Sequence, residues 1–158
     1  EECDLRKEYE KDTLEALIME LVQKGRLTAE EAEVIRRKEL LQFFGSELAQ
    51  RLRLSDKIET ERTFSLLMQP KEVFFGAKYN DVTDTILVNG IIDCYFVEQD
   101  QIVLLDYKSD RIYDEEELKE RYRIQLQLYK TALERATGLP VKEVYIYSLA
   151  MGRAIALE

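Results

Sequence analysis

Residues Val103 to Asp110 read VLLDYKSD. An apolar run ends in an acid, and a tyrosine, a lysine, a serine and a second acid follow. The run from Ile102 to Asp106 has the length of a buried strand. Upstream, Ile86 to Val97 is a longer strand candidate, with Gly90 as a bulge or close-approach point. The polar turn Glu98-Gln99-Asp100-Gln101 between them makes the two a hairpin. The Asp-x-Lys triplet alone carries no weight, because 32 acids and 11 lysines in 158 residues give about two such triplets by chance. Two occur, Asp106-Tyr107-Lys108 and Glu117-Leu118-Lys119. Only the first sits at the mouth of a strand.

The elements around the hairpin follow from periodicity and caps. Leu14, Leu17, Ile18, Leu21 and Val22 repeat at helical spacing, and Gly25 can close that helix. Thr28 and Glu31 form a capping box for a second helix carrying Ala32 and Ile35. An apolar segment through Leu40, Leu41, Phe43 and Phe44 leads to a break at Gly45-Ser46, and Ser46 caps a short piece to about Arg53. Thr63 to Met68 reads as a strand, and Pro70 to Asp84 as loop in which Val73-Phe74-Phe75 pairs briefly. After the hairpin, Asp114 caps a helix whose first turn holds Glu115, Glu116 and Glu117. It stops at Gly138-Leu139-Pro140, and Val144 to Leu149 and Ala154 to Leu157 supply further strands. The order predicts one α/β domain round a mixed sheet: a helical segment over 1–56 and a core over 57–158.

Composition narrows the chemistry. There is no histidine, so a metal site must be built from oxygens, which favours Mg²⁺ or Mn²⁺ over Zn²⁺. The net charge of −9 argues against a free-standing DNA-binding module. Cys3 and Cys94 lack metal spacing and read as reduced thiols of a cytoplasmic protein. No apolar run approaches the roughly 20 residues of a membrane span. The chain opens at Glu1 rather than methionine and reads as part of something longer, with Leu157-Glu158 as a tag remnant.

Three features converge. Asp93 interrupts the apolar run of the first hairpin strand, where an acid is costly unless paired or bound to metal. Equal distances from the turn place Asp93 near Asp106, and Lys108 shares a strand face with Asp106. Tyr122, Gln125 and Tyr129 share one face of the long helix. Separately, each has an ordinary explanation: a buried ion pair, a solvated strand-end pair, semi-buried packing.

Together they resemble the signature of the RecB-like nucleases of the PD-(D/E)XK superfamily. The parts are Gly90-Ile91-Ile92-Asp93, Asp106-Tyr107-Lys108-Ser109 and Tyr122-x-x-Gln125-x-x-x-Tyr129. The likeness is strongest to the C-terminal nuclease domains of AddA subunits of AddAB helicase–nucleases, and covers about residues 12 to 156. Glu61-Arg62-Thr63-Phe64 resembles that family's first strand and Phe43-Phe44-x-Ser46-x-Leu48 its preceding helical segment. The resemblance implies a restriction-endonuclease-like core and a Mg²⁺-dependent deoxyribonuclease (Mn²⁺ substituting) acting in break repair and recombination. It implies metal ligands at Asp93, Asp106, the Tyr107 backbone carbonyl and Glu61. It also implies catalytic roles for Asp93, Asp106, Lys108, Gln125 and Tyr129. The implied partners are DNA, single-stranded by expectation, helicase domains of the same parent chain and a second helicase–nuclease subunit, with no membrane. The family usually carries a metal-binding histidine upstream, and this chain has none, so weak activity is expected of it in isolation. The alternative is a nuclease-fold docking module without catalysis.

Overall fold

The computed structural model describes residues 3–73 and 83–157. Four helices come first: α1 (Lys11–Gln23), α2 (Ala29–Val34), α3 (Arg37–Phe44) and α4 (Glu47–Leu54). Strand β1 (Lys57–Met68), the short turn of helix α5 (Pro70–Val73) and the hairpin β2 (Ile86–Glu98) and β3 (Gln101–Lys108) follow. Helix α6 (Glu115–Thr137) then leads to β4 (Val141–Ser148) and β5 (Arg153–Ala156). The sheet runs β1-β2-β3-β4-β5. All neighbours are antiparallel except β3 and β4, and α6 is the long crossover that a parallel pair requires. This is the α/β mixed sheet that the sequence predicts.

Local signals account for most boundaries. Thr28 and Glu31 satisfy each other's backbone N–H groups at the start of α2. Asp114 accepts from the Glu117 N–H at 2.8 Å, and Gly138 closes α6 in the left-handed region at φ 73°. Gln99 and Asp100 both have positive φ, 51° and 59°, as a two-residue hairpin turn of matching twist requires. The second helix expected from Thr28 stops sooner than expected. Ile35 is extended, and α3 restarts at Arg37, whose guanidinium bonds the Ala32 and Ile35 carbonyls and pairs with Glu15.

Two boundaries differ more. β1 begins at Lys57, not Thr63: its first half lies on the sheet edge, mostly exposed, and so lacks an apolar signature. Val73 belongs to the helical turn α5 rather than to a pairing strand. Phe74 and Phe75 lie outside the described residues.

The sheet has an apolar layer on each face. Cys94, Phe96, Val103, Leu105 and Tyr147 pack against α1 to α4. Ile92, Tyr95, Ile102, Leu104 and Ile146 pack with Leu118, Leu126, Tyr129 and Leu133 of α6. Ile102, Val103, Leu104 and Leu105 are all fully buried, so β3 contributes to both layers. Each such side chain stabilises by roughly 1.5–3 kcal/mol, which makes β3 the strand on which both layers depend. At the hairpin-turn end, Arg51 of α4 pairs with Glu98 at 2.9 Å and Glu143 at 2.8 Å, and Lys142 joins Glu98 at 2.8 Å.

β1 and β2 turn over together once. Ile58 packs on the α1–α4 side and Phe64 on the α6 side, although regular alternation would put them on one face. Cys94 and Ile92 show the same reversal across the ladder. The register is identical before and after, and the skipped pair is Glu61 and Asp93, with Glu61 at φ 50°. Beyond this point the ribbon lays Phe64 and Gly90 against α6. A methyl group at Gly90 would lie 2.5 Å from the Phe64 ring and 3.3 Å from the Tyr129 ring. We therefore expect Gly90→Ala to cost about 1–3 kcal/mol in urea unfolding. Combined with Phe64→Ala, it should lose less than the sum of the two single variants, because the shortened side chain removes the clash.

Candidate active site

Asp106 is the last buried residue of β3, with 1% of its side chain exposed. It sits on the α6 face, after Leu104 and before Lys108. Lys108 Nζ lies 2.7 Å from Asp106 Oδ2, and its own side chain is 14% exposed. The contact has the distance of an ion pair but is not aligned as a hydrogen bond, so neither Asp106 oxygen has a directed donor. Burial pushes the Asp106 carboxyl above its ordinary value, and Lys108 only partly offsets this. Asp93 adds to the rise, so the two carboxylates feel one another.

Asp93 occupies a different position in the sheet. The β2–β3 ladder stops at Cys94 and Leu105, one step short of the Asp93–Asp106 pair. There Asp93 Oδ2 accepts from the Tyr107 backbone N–H at 3.0 Å, replacing the strand partner. The residue stands at the turnover point, on the seam between the two sheet faces. It lines a cavity of about 380 Å³ with Glu61, Thr60, Phe43, Phe44 and Tyr107. Glu61, the weakest of the sequence candidates, is thus brought beside Asp93. Cys94, next in the chain, is buried with its thiol pushed up to about 12, which leaves it chemically inert.

Helix α6 supplies the third part. Gln125 Oε1 accepts from Lys108 Nζ at 3.3 Å, and Gln125 Nε2 donates to the Tyr129 hydroxyl at 2.7 Å. Tyr129 is held edge-on by Phe64. The Tyr122 ring lies under the Lys108 ammonium, 4.2 Å from Nζ to the ring centre. Its hydroxyl donates to Asp110 Oδ2 at 2.7 Å, and this bond holds the Asp110 carboxyl below its usual range. The structure therefore gathers Asp93, Asp106, Lys108, Gln125 and Tyr129 at one end of the sheet. Sequence reasoning missed Asp110, although it is the last residue of VLLDYKSD. The second triplet is quite different: Glu117 and Lys119 lie on α6, where Lys119 pairs with Glu116.

Residues 2–154 match the sequence profile of the PD-(D/E)XK nuclease superfamily. The chain belongs to this superfamily. Among curated proteins it is 37% identical over 156 residues to the AddA-type subunit of the ATP-dependent helicase/nuclease of Clostridium botulinum strain 657, covering 98% of this chain and 12% of that protein. The protein of the same name from Alkaliphilus oremlandii is 36% identical over 156 residues, covering 98% of this chain and 13% of its own length. The chain thus spans about an eighth of the length of these relatives. The expected likeness to AddA subunits of helicase–nucleases is met.

Nucleases of this superfamily generally depend on a divalent metal. Among the described residues, no three His, Cys, Asp or Glu side chains cluster as a metal site. What the chain offers is oxygen: the undonated Asp106 carboxylate, Asp93 and a nearby backbone carbonyl. Mg²⁺ retains several waters and needs only a few protein oxygens, so this donor set fits it. The described residues include no helix long and apolar enough to cross a membrane.

The raised Asp106 pKa makes stability depend on pH. The folded state favours the protonated form, so stability from this group is full below the ordinary carboxylate value. It is lost as pH rises through the folded pKa. Asp106→Asn should therefore melt above the unsubstituted chain at pH 7 without metal, with the gap closing as pH falls toward about 4. A variant that melts lower at pH 7 would contradict this.

Proposed function

We propose that this chain is the metal-dependent DNA nuclease domain of a bacterial helicase–nuclease acting in double-strand break repair and recombination. The observation that carries the reading is the buried Asp106 carboxylate, which lacks a directed donor and faces a lysine held by Gln125. A buried acid of this kind costs stability, and such costs are kept where chemistry needs them. Support also comes from the names of the relatives, in each case that of a helicase/nuclease component.

Asp93, Asp106 and the Tyr107 carbonyl, with Glu61 at the cavity edge, would hold Mg²⁺, or Mn²⁺ in its place. Bound there, the ion supplies Lewis-acid polarisation of the phosphate and lowers the pKa of the attacking water. Lys108 places a positive charge where negative charge develops on the phosphate, and its desolvated setting strengthens that effect. Gln125 orients the Lys108 ammonium, and Tyr129 orients Gln125. The residue roles extend to the strand being cut, which Gln125 and Tyr129 would contact. A net charge of −9 repels nucleic acid at long range. The strand, single-stranded on this reading, is accordingly delivered by helicase domains of the parent chain, with a second subunit completing a cytoplasmic machine. Residues 1–56 serve as the helical part of one domain whose catalytic core is 57–158.

Lys108→Ala should lower single-strand DNA digestion by about 10²–10³-fold in the parent helicase–nuclease with Mg²⁺, as loss of one preorganised charge does. A parent carrying Lys108→Ala that digests at the normal rate would sink the assigned chemistry. The isolated 158-residue chain should digest the same DNA far more slowly than the parent, and addition of salt should slow it little, since it offers phosphate no strong electrostatic attraction.

A further inference from the structure

We propose that the Tyr122 ring, fixed by Asp110, is a second resting place for the Lys108 ammonium that lets Asp106 give up its ion pair and take a divalent cation. This rests on the reading of Asp106 as a metal ligand. In the structure Lys108 occupies the ground that a cation at Asp106 would contest, with Nζ 2.7 Å from Oδ2. A cation arriving there displaces the ammonium, and a largely buried ammonium left without partners is costly. Two partners lie off the carboxylate: Gln125 Oε1 at 3.3 Å and the face of Tyr122 at 4.2 Å.

The ring does not depend on Lys108 for its place. Its hydroxyl is bound to Asp110 at 2.7 Å, and Arg121 stands 3.9 Å from the other Asp110 oxygen. Asp110 is partly exposed and can stay ionised at no great cost. Donating to a carboxylate also enriches the ring in electron density, which deepens its attraction for a cation. While Lys108 is paired with Asp106 the ring adds little, because the charge is already neutralised. Once the pair opens, the ring and Gln125 are what hold the ammonium beside the site. The contribution of Tyr122 is therefore larger in the metal-bound state, and that difference appears as metal affinity.

The test is Mn²⁺ binding to this chain, read from the free-ion paramagnetic resonance signal at pH 7, with melting curves to verify folding. Tyr122→Leu should weaken Mn²⁺ binding by about three- to thirtyfold, the range of a desolvated cation–ring contact. Tyr122→Phe keeps the ring and should recover most of that loss. Lys108→Met removes the competing charge and should tighten binding. In that background Tyr122→Leu should change binding less than twofold. Equal weakening by Tyr122→Leu with and without Lys108 would show a merely structural role and overturn the proposal, as would unchanged binding in the single variant. If Asp106→Asn binds Mn²⁺ as well as the unsubstituted chain, the metal-ligand reading itself fails, an outcome distinct from either result at Tyr122.

Discussion

A carboxylate buried at the end of the central strand, with one lysine as its counter-charge, sets the terms for everything around it. Asp106 cannot be exposed without shortening β3, whose four preceding residues are buried in both apolar layers. It cannot be left alone either, because an unpaired buried charge destabilises by several kcal/mol. Lys108 answers the charge from the same strand, two residues on. Lys108 in turn is long and mobile unless held, and α6 supplies the holders in Gln125 and Tyr122. The parallel crossover from β3 through α6 to β4 is thus more than a topological link. It brings the helix back over the strand end that carries the charge.

The second constraint is the joint turnover of β1 and β2. Had both strands alternated regularly, Asp93 would have followed Tyr95 and Val97 onto the α6 face and pressed directly on Asp106. The reversal at Glu61 and Asp93 instead sets Asp93 on the seam, where its carboxylate satisfies the Tyr107 N–H. The two acids remain electrostatically coupled without sharing one sealed pocket. A non-glycine residue at positive φ is a strained choice, and such strain is typically found where geometry serves a site.

Much of this was legible in the sequence because the relevant signals are local. The periodic Leu14, Ile18 and Leu21 are the buried face of α1. Thr28 with Glu31, Asp114 with its acidic first turn, and Gly138 are the caps they promised to be. The continuous apolar run of β3 declared burial on both faces. The gathering of Asp106, Lys108, Gln125 and Tyr129 follows from strand and helix periods once a crossover is assumed. Lys57 to Arg62 was illegible because an exposed edge strand carries no apolar alternation. The turnover left no trace, since glutamate at positive φ is not a sequence signal. Asp110 was visible as a residue and silent as a partner, because its bond to Tyr122 exists only after the helix folds back.

The charge network at the hairpin-turn end has a bearing on how the domain can vary. Arg51, Glu98, Glu143 and Lys142 tie a helix, a hairpin and β4 together at the sheet end remote from Asp106. They share no partner with the residues around Lys108, and substitutions at sites without shared partners have nearly additive effects. Substitutions near the catalytic end can therefore accumulate while the remote end continues to fasten the layers. The sheet separates a working edge, free to be tuned by substitution, from an anchoring edge that holds the shape in which that tuning takes effect.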